Sequence, residues 1–203
     1  MKIICIGRNY VEHALELKNE VPSEPVWFMK PDTALLAKDK DFFLPDFSKD
    51  IHHEVELVLR ICKEGKHIAE EFASKYYDQV TVGLDFTARD LQQRQKEKGL
   101  PWEPAKAFDW SAPVGDFIPM DKIKNSGDIA FSLKKNGTVV QEGQSSLMIF
   151  SFEKMIASVS RYITLRKGDF IFTGTPKGVG RIEAGDKLEA FLEGENLLSV
   201  NVR

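Results

Sequence analysis

The stretch from Ile51 to Ile61 constrains this chain more than any other, because apolar and polar positions alternate along it with a period of two. Ile51, His53, Val55, Leu57, Leu59 and Ile61 fall on one side; His52, Glu54, Glu56, Val58 and Arg60 fall on the other. Successive side chains of a strand point to opposite faces, so this segment is a strand with a core face and a face that carries chemistry. Glu54 and Glu56 then emerge on the same side, roughly 7 Å apart along the backbone. Two carboxylates so placed repel each other unless something positive lies between them.

Other elements follow from local signals. Lys2 to Ile6 is a β-rich run closed by Gly7, and Asn9 to Lys18 carries apolar residues at helical spacing. Val26 to Met29, bracketed by prolines, is long enough for one strand and too interrupted for a helix. Glu70 to Asp78 reads as helical, Val80 to Asp85 as a strand, and Thr87 to Lys98 as a polar helix stopped by Gly99 and Pro101. Ile129–Leu133 and Thr138–Gln141 flank Asn136-Gly137, a dipeptide suited to a type I′ hairpin. A long helix is predicted from about Ser145 to Tyr162, capped by Ser145 or Ser146. Phe170–Thr173 forms a further strand, and Lys187–Leu192 pairs with Leu197–Val202 across Glu193 to Asn196. With 203 residues and 42% hydrophobic content, the chain reads as one domain, 1–203, with a substantial core.

Asp85 ends the apolar run Thr81 to Leu84, where a strand gives way to a helix, a common place for reactive groups. With Glu54 and Glu56 it offers three hard oxygen donors. Such a set suits Mg2+ or Mn2+ better than Zn2+, which favours nitrogen and sulfur. The competing reading makes Glu54 and Glu56 the solvated face of an edge strand, paired with lysine or arginine. His52 and His53 cannot both reach one ion from a regular strand; either alone is a lesser candidate ligand, and packing or a hydrogen bond that supports a carboxylate is the main reading.

His13 and Glu16, three apart on the first predicted helix, share a face and could form a carboxylate-supported general base, or an idle exposed pair. Lys106 follows the rigid Pro101-Trp102-Glu103-Pro104-Ala105 segment and could face developing negative charge, or simply solvent. Thr173 to Gly180 is a glycine-rich loop that lets backbone approach a ligand, but it lacks the order of a phosphate-binding P-loop.

A net charge of -3 with dispersed lysine and arginine gives no footprint for nucleic acid or an anionic membrane. Cys5 and Cys62 lie in no metal or redox motif and read as reduced core thiols. No signal segment or spanning helix is apparent at the N-terminus, so the cytoplasm is the expected location.

In identity and order, Gly7-Arg8-Asn9-Tyr10 with His13 and Glu16, Phe28-Met29-Lys30-Pro31, His53-Glu54-Val55-Glu56-Leu57, Asp85-Phe86-Thr87-Ala88-Arg89-Asp90, Lys98-Gly99-Leu100-Pro101-Trp102, Lys106, and Thr173 to Gly180 resemble the fumarylacetoacetate hydrolase family. The compact chain is similar to its short acylpyruvase and oxaloacetate decarboxylase branch. The resemblance implies a mixed, β-rich α+β fold, a β-roll or sandwich with short helices, in a homodimer. It implies metal ligands at Glu54, Glu56 and Asp85, a dyad of His13 and Glu16, an electrostatic Lys106, and substrate contacts from Gln92, Thr175 and Arg8.

The expected partner is a small 2-oxo acid. The expected chemistry is Mg2+- or Mn2+-dependent cleavage of an acylpyruvate to pyruvate and a carboxylic acid. Decarboxylation or tautomerisation of oxaloacetate, or isomerisation or hydration of a dienoate, are the alternatives at the same site. The first helix is expected to close over bound substrate. A non-catalytic oligomerisation module with a structural ion is the alternative from another class; it has no use for His13, Glu16 or Lys106.

Overall fold

The structure, a computed structural model, describes residues 1–17 and 20–203. In chain order it contains strands β1 (Ile3–Gly7), β2 (Val26–Lys30), β3 (Leu35–Leu36), β4 (Ile51–His53), β5 (Val55–Ile61), β6 (Tyr77–Leu84), β7 (Thr87–Ala88), β8 (Ala112–Pro113), β9 (Ile118–Pro119), β10 (Ala130–Lys135), β11 (Thr138–Gln144), β12 (Phe170–Phe172), β13 (Gly180–Arg181), β14 (Lys187–Leu192) and β15 (Glu195–Asn201). The α-helices are α1 (Val11–Glu16), α2 (Arg89–Lys98), α3 (Glu103–Lys106) and α4 (Phe152–Ser160). This is a mixed, strand-rich α+β fold with short helices. No helix among the described residues is long and apolar enough to cross a membrane.

A six-stranded sheet has the order β2-β1-β12-β5-β6-β9, antiparallel except for the β1/β12 pair. An antiparallel sheet, β11-β10-β14-β15, packs over β5 and β6. Val55, Leu57, Leu59 and Ile61 of β5 enter one core with Val80, Val82, Leu133, Leu188, Leu192 and Val200, burial being the main stabilising term here. The other face of β5 is covered as well, since Val58 packs with Ile3, Cys5, Ala112 and Phe172. Glu54 and Glu56 therefore project into the interior, and the edge-strand reading does not hold.

The single strand expected from Ile51 to Ile61 is broken at Glu54. β4 pairs with β7 and β13, whereas β5 pairs with β12 and β6. The neighbouring chain breaks opposite, between β6 and β7, and there the Asp85 N–H donates to the Glu54 carbonyl at 2.9 Å. Both strands thus pass from one sheet to another at the same level, with a carboxylate at each junction.

The predicted helix Ser145–Tyr162 is also interrupted. A 3-10 turn covers Ser145–Leu147, Met148 is extended, and α4 starts only at Phe152, where Ser151 caps it by accepting from Lys154 N at 3.2 Å. The cause is tertiary. Asn9 takes the donors a continuous helix would need: its carbonyl accepts from Ile149 N and its Oδ1 from Phe150 N, both at 2.8 Å.

Smaller differences follow local geometry. α1 covers only Val11–Glu16, and the expected end at Lys18 lies outside the described residues. Glu70–Tyr76 is a 3-10 helix and β6 begins at Tyr77, earlier than predicted. Asn136 and Gly137 have φ of 54° and 80°, the expected type I′ turn. Cys5 is buried in β1, but Cys62 lies beyond β5 and is only half-buried, so it is not a core thiol.

Asn9 is fully buried and its Nδ2 also donates to the carbonyls of Thr173 at 2.8 Å and Phe150 at 3.2 Å. Asn9→Ala would orphan buried backbone groups on two segments, at a cost of about 2–4 kcal/mol. Urea unfolding should show a lower midpoint at unchanged slope; a loss below about 1 kcal/mol would mean that Asn9 does not tie these segments together.

Candidate active site

Glu54, Glu56 and Asp85 are all buried, and one carboxylate oxygen from each lies within 4.8 Å of the others. Such a cluster is stable only if positive charge enters it. Lys106, in α3, places its Nζ 2.7 Å from Glu54 Oε2, 2.7 Å from Asp85 Oδ2 and 2.6 Å from Thr87 Oγ1. Lys30, at the end of β2, reaches Asp85 Oδ1 at 2.8 Å and Ser111 Oγ at 2.8 Å, and donates to the Lys106 and Ser111 carbonyls. Arg89, opening α2, donates from Nη2 to Glu54 Oε1 at 2.5 Å and from Nη1 to Gln92 Oε1 at 2.6 Å. Glu56 accepts the Gly174 N–H at 2.7 Å.

These environments drive the carboxyls apart. Burial pushes Glu54 up, but Lys106, Arg89 and His13 outweigh it and hold its carboxyl far below the usual carboxylate range. Burial, then Asp85 and Glu54, push Glu56 well above that range. Burial opposes the charge on Lys106, but Asp85 and Glu54 raise its pKa. The trio thus carries more repulsion than its resident cations relieve, and a hard divalent cation fits the donor set.

Beside the trio, His13 Nδ1 lies 3.2 Å from Glu16 Oε2. Glu16 also accepts the Gly178 N–H, at 3.1 and 3.3 Å to its two oxygens, which docks α1 on the loop after β12. Burial lowers the pKa of His13, so a neutral ring donates from Nδ1 and keeps a lone pair on Nε2.

Arg8, His13, Glu54, Glu56, Asp85, Arg89, Gln92, Lys96, Trp102, Lys106 and Thr175 line one cavity of about 30 Å3, room for about one water. Larger clefts of about 380 and 440 Å3 open elsewhere, but neither gathers buried titratable groups. Arg8 sits at the cavity with a φ of 59°, 5.9 Å above Trp102, an uncommon backbone for a non-glycine residue and one concentrated at functional positions. Burial, Arg8 and Arg89 lower the pKa of Lys96 to about 8.

The residues singled out from sequence therefore converge, with Glu16 reaching the cavity through His13. His52 and His53 turn elsewhere, to Asp50 at 3.0 Å and Gln141 at 2.9 Å. Lys30, Arg89 and Lys96 were not assigned roles from sequence. The spacing of Arg89 and Gln92, three apart on a helix, was the one available signal; a lysine at a strand end gives none.

Ion pairs and an imidazole–carboxylate couple gathered around one small cavity cost stability that apolar packing would not, and such a grouping marks a candidate functional site. The model of the fumarylacetoacetate (FAA) hydrolase C-terminal family matches residues 2–203. The chain is 46% identical over 192 residues to the mitochondrial oxaloacetate tautomerase FAHD1 of Mus musculus, covering 95% of this chain and 87% of that protein. It is 42% identical over 194 residues to the mitochondrial oxaloacetate decarboxylase of Dictyostelium discoideum, covering 95% and 89%. Fumarylpyruvate hydrolase from Pseudomonas aeruginosa, in complex with Mn2+ and pyruvate, superposes with a TM-score of 0.94 at 38% identity, over 100% of this chain and 89% of that one. The chain belongs to the fumarylacetoacetate hydrolase family, whose named relatives are enzymes.

If the trio holds a divalent ion, Glu56→Gln should act with opposite signs in two measurements. Calorimetric titration with Mn2+ should show affinity weakened on the order of 100-fold, about 2.7 kcal/mol. The melting temperature of the metal-free variant should rise, because an amide still accepts from Gly174 and is neutral beside Asp85 and Glu54 without having to take up the proton that Glu56 needs there. Unchanged Mn2+ affinity would remove Glu56 from the ligand set.

Proposed function

We propose that this protein is a divalent-metal-dependent hydrolase that cleaves the C3–C4 bond of acylpyruvates to pyruvate and a carboxylic acid, with residues 1–203 as one catalytic unit. The observation that carries this reading is the placement of a His–Glu couple in the same cavity as the buried acidic trio. A structural ion would need the trio alone.

In this reading Glu54, Glu56 and Asp85 hold Mg2+ or Mn2+, which would supply Lewis-acid polarisation of the substrate's carboxylate and 2-oxo oxygens. Gln92 uses its carbonyl on Arg89, leaving its amide hydrogens for a substrate oxygen; Thr175 and Arg8 complete the binding set. His13 Nε2 takes a proton from water while Glu16 steadies the ring through Nδ1. The hydroxide adds to C4, with Lys106 as the cation available to the oxyanion. C3–C4 cleavage leaves its electron pair on C3, which is protonated to give pyruvate.

Arg8, Arg89 and Lys106 line the cavity together with the acidic trio, three positive charges against three negative ones. A divalent ion would add positive charge beyond that balance and favour a substrate with a second carboxylate. That added charge also supports oxaloacetate as substrate at the same site, through proton transfer at C3 or loss of the C4 carboxylate without an attacking water. The names of the relatives, with oxaloacetate and fumarylpyruvate in them, agree with a dicarboxylic 2-oxo acid. The family resemblance supports a homodimer, and two unpaired thiols are compatible with a reducing compartment such as the cytoplasm.

A pyruvate-release assay on acetylpyruvate, fumarylpyruvate and oxaloacetate, with Mn2+ or with chelator, tests the reading. Turnover should require the metal, favour the dicarboxylic substrates, and fall about 100-fold or more in His13→Ala while Mn2+ affinity holds. Because burial lowers the His13 pKa, the acid limb of the pH–rate profile should lie below about 6.5, with activity lost as His13 gains its proton. Chelator-resistant turnover, or none with any 2-oxo acid, would defeat the proposal.

The space beside the trio, about 30 Å3 and walled on one side by His13 of α1, is small for such a substrate, and in this reading α1 moves to admit it and closes over it once bound. Amide exchange over residues 11–16 should slow at least about tenfold when Mn2+ and pyruvate are both present. Equal exchange in the two states would make α1 a fixed wall.

A further inference from the structure

Gln141 lies in β11, in the sheet that covers the six-stranded one, yet its side chain is buried and touches the candidate site from behind. Its Oε1 accepts from Val55 N at 3.1 Å and lies 2.9 Å from His53 Nδ1; its Nε2 donates to Thr175 Oγ1 at 2.9 Å and to the Pro176 carbonyl at 3.0 Å. Two of these partners have no choice of role. A backbone N–H only donates and a backbone carbonyl only accepts. Turning the amide over would set N–H against the Val55 N–H and oxygen against the Pro176 oxygen, so one orientation is imposed.

The ambiguous partners then follow. With oxygen facing it, His53 must carry its proton on Nδ1. With N–H facing it, the Thr175 hydroxyl must accept, so its own hydrogen is directed away from Gln141. Thr175 is buried and lines the cavity.

We propose that Gln141 is a positioning residue that fixes the polarity of Thr175, making its hydroxyl a hydrogen-bond donor into the cavity that selects a substrate oxygen with a free lone pair. This rests on the reading of the cavity as an oxo-acid site. It adds that the substrate presents a carboxylate or carbonyl oxygen to Thr175, and that a residue on the covering sheet sets this preference. The amide also joins the break beside Glu54, through Val55 N, to the loop after β12.

Gln141→Glu is the discriminating change. A carboxylate has no N–H to offer Thr175, so the hydroxyl would turn to donate to Glu and be withdrawn from substrate. Steady-state kinetics with the best oxo acid and Mn2+ should show KM raised about 10- to 100-fold, more than kcat falls. Thr175→Val should give the same loss, Thr175→Ser should recover most of it, and the double variant Gln141→Glu/Thr175→Val should be no worse than either alone. Additive losses in the double variant would overturn the proposal.

A second measurement needs neither turnover nor a folded Gln141 variant. Nitrogen-15 correlation spectra of the wild-type protein should place a proton on His53 Nδ1, and a proton on Nε2 alone would mean that the amide faces the other way. Wild-type protein with the expected His53 proton but no oxo-acid turnover would defeat the proposed function and, with it, the selection of a substrate oxygen.

Discussion

Like charges packed out of water are what the rest of this structure has to accommodate. Three carboxylates within 4.8 Å of one another would each cost several kcal/mol if left alone. Two lysines enter from different elements to prevent this, Lys30 from the end of β2 and Lys106 from α3. They are not independent, because Lys30 also donates to the carbonyl of Lys106 and to the carbonyl and hydroxyl oxygens of Ser111. The segment carrying one lysine is thereby oriented by the other. Removing either would leave Asp85 with less compensation and free a loop at the same time, so folding and site assembly are one process here.

The loop after β12 transmits this order to the remaining groups. Thr173 donates from N and Oγ1 to the Leu57 carbonyl, Gly174 N meets Glu56, Thr175 meets Gln141, and Gly178 N meets Glu16. One stretch of backbone therefore sets an acid of the trio, a cavity hydroxyl and the carboxylate behind His13. Gly174 allows this at a φ of 99°, where an added Cβ would stand 2.7 Å from the Asn9 Cβ. Asn9 binds the Thr173 carbonyl in return, so β1, α4 and the loop close on a point that admits no side chain.

What the sequence makes legible is what depends on period and local chemistry. Alternation puts Glu54 and Glu56 on one face, and the helical spacing of three pairs His13 with Glu16. Asn136-Gly137 marks its hairpin without help from the rest of the chain. The break at Glu54 is invisible, since it arises from two strands changing sheets together. The expected helix through Met148 failed because Asn9, far away in sequence, outcompetes helical hydrogen bonding there. β11 inverts the usual rule, burying Gln141 and Gly143 while exposing Val139, so hydrophobic patterning conceals the residue best placed to order the site. Lys30 is hidden for the same reason, a lysine in a strand reading as surface.

Lys106 links charge compensation to chemistry. In this structure its three donors are engaged, by Glu54, Asp85 and Thr87, and an ammonium has no fourth. To meet an oxyanion it must give up one of them. The two carboxylates can release it only if another cation takes over their charge, because an uncompensated buried carboxylate is costly. Thr87 is the partner Lys106 can give up without uncovering a charge. In the proposed reaction a cation held by the trio would loosen the other two contacts as well and leave the lysine free to turn toward the substrate.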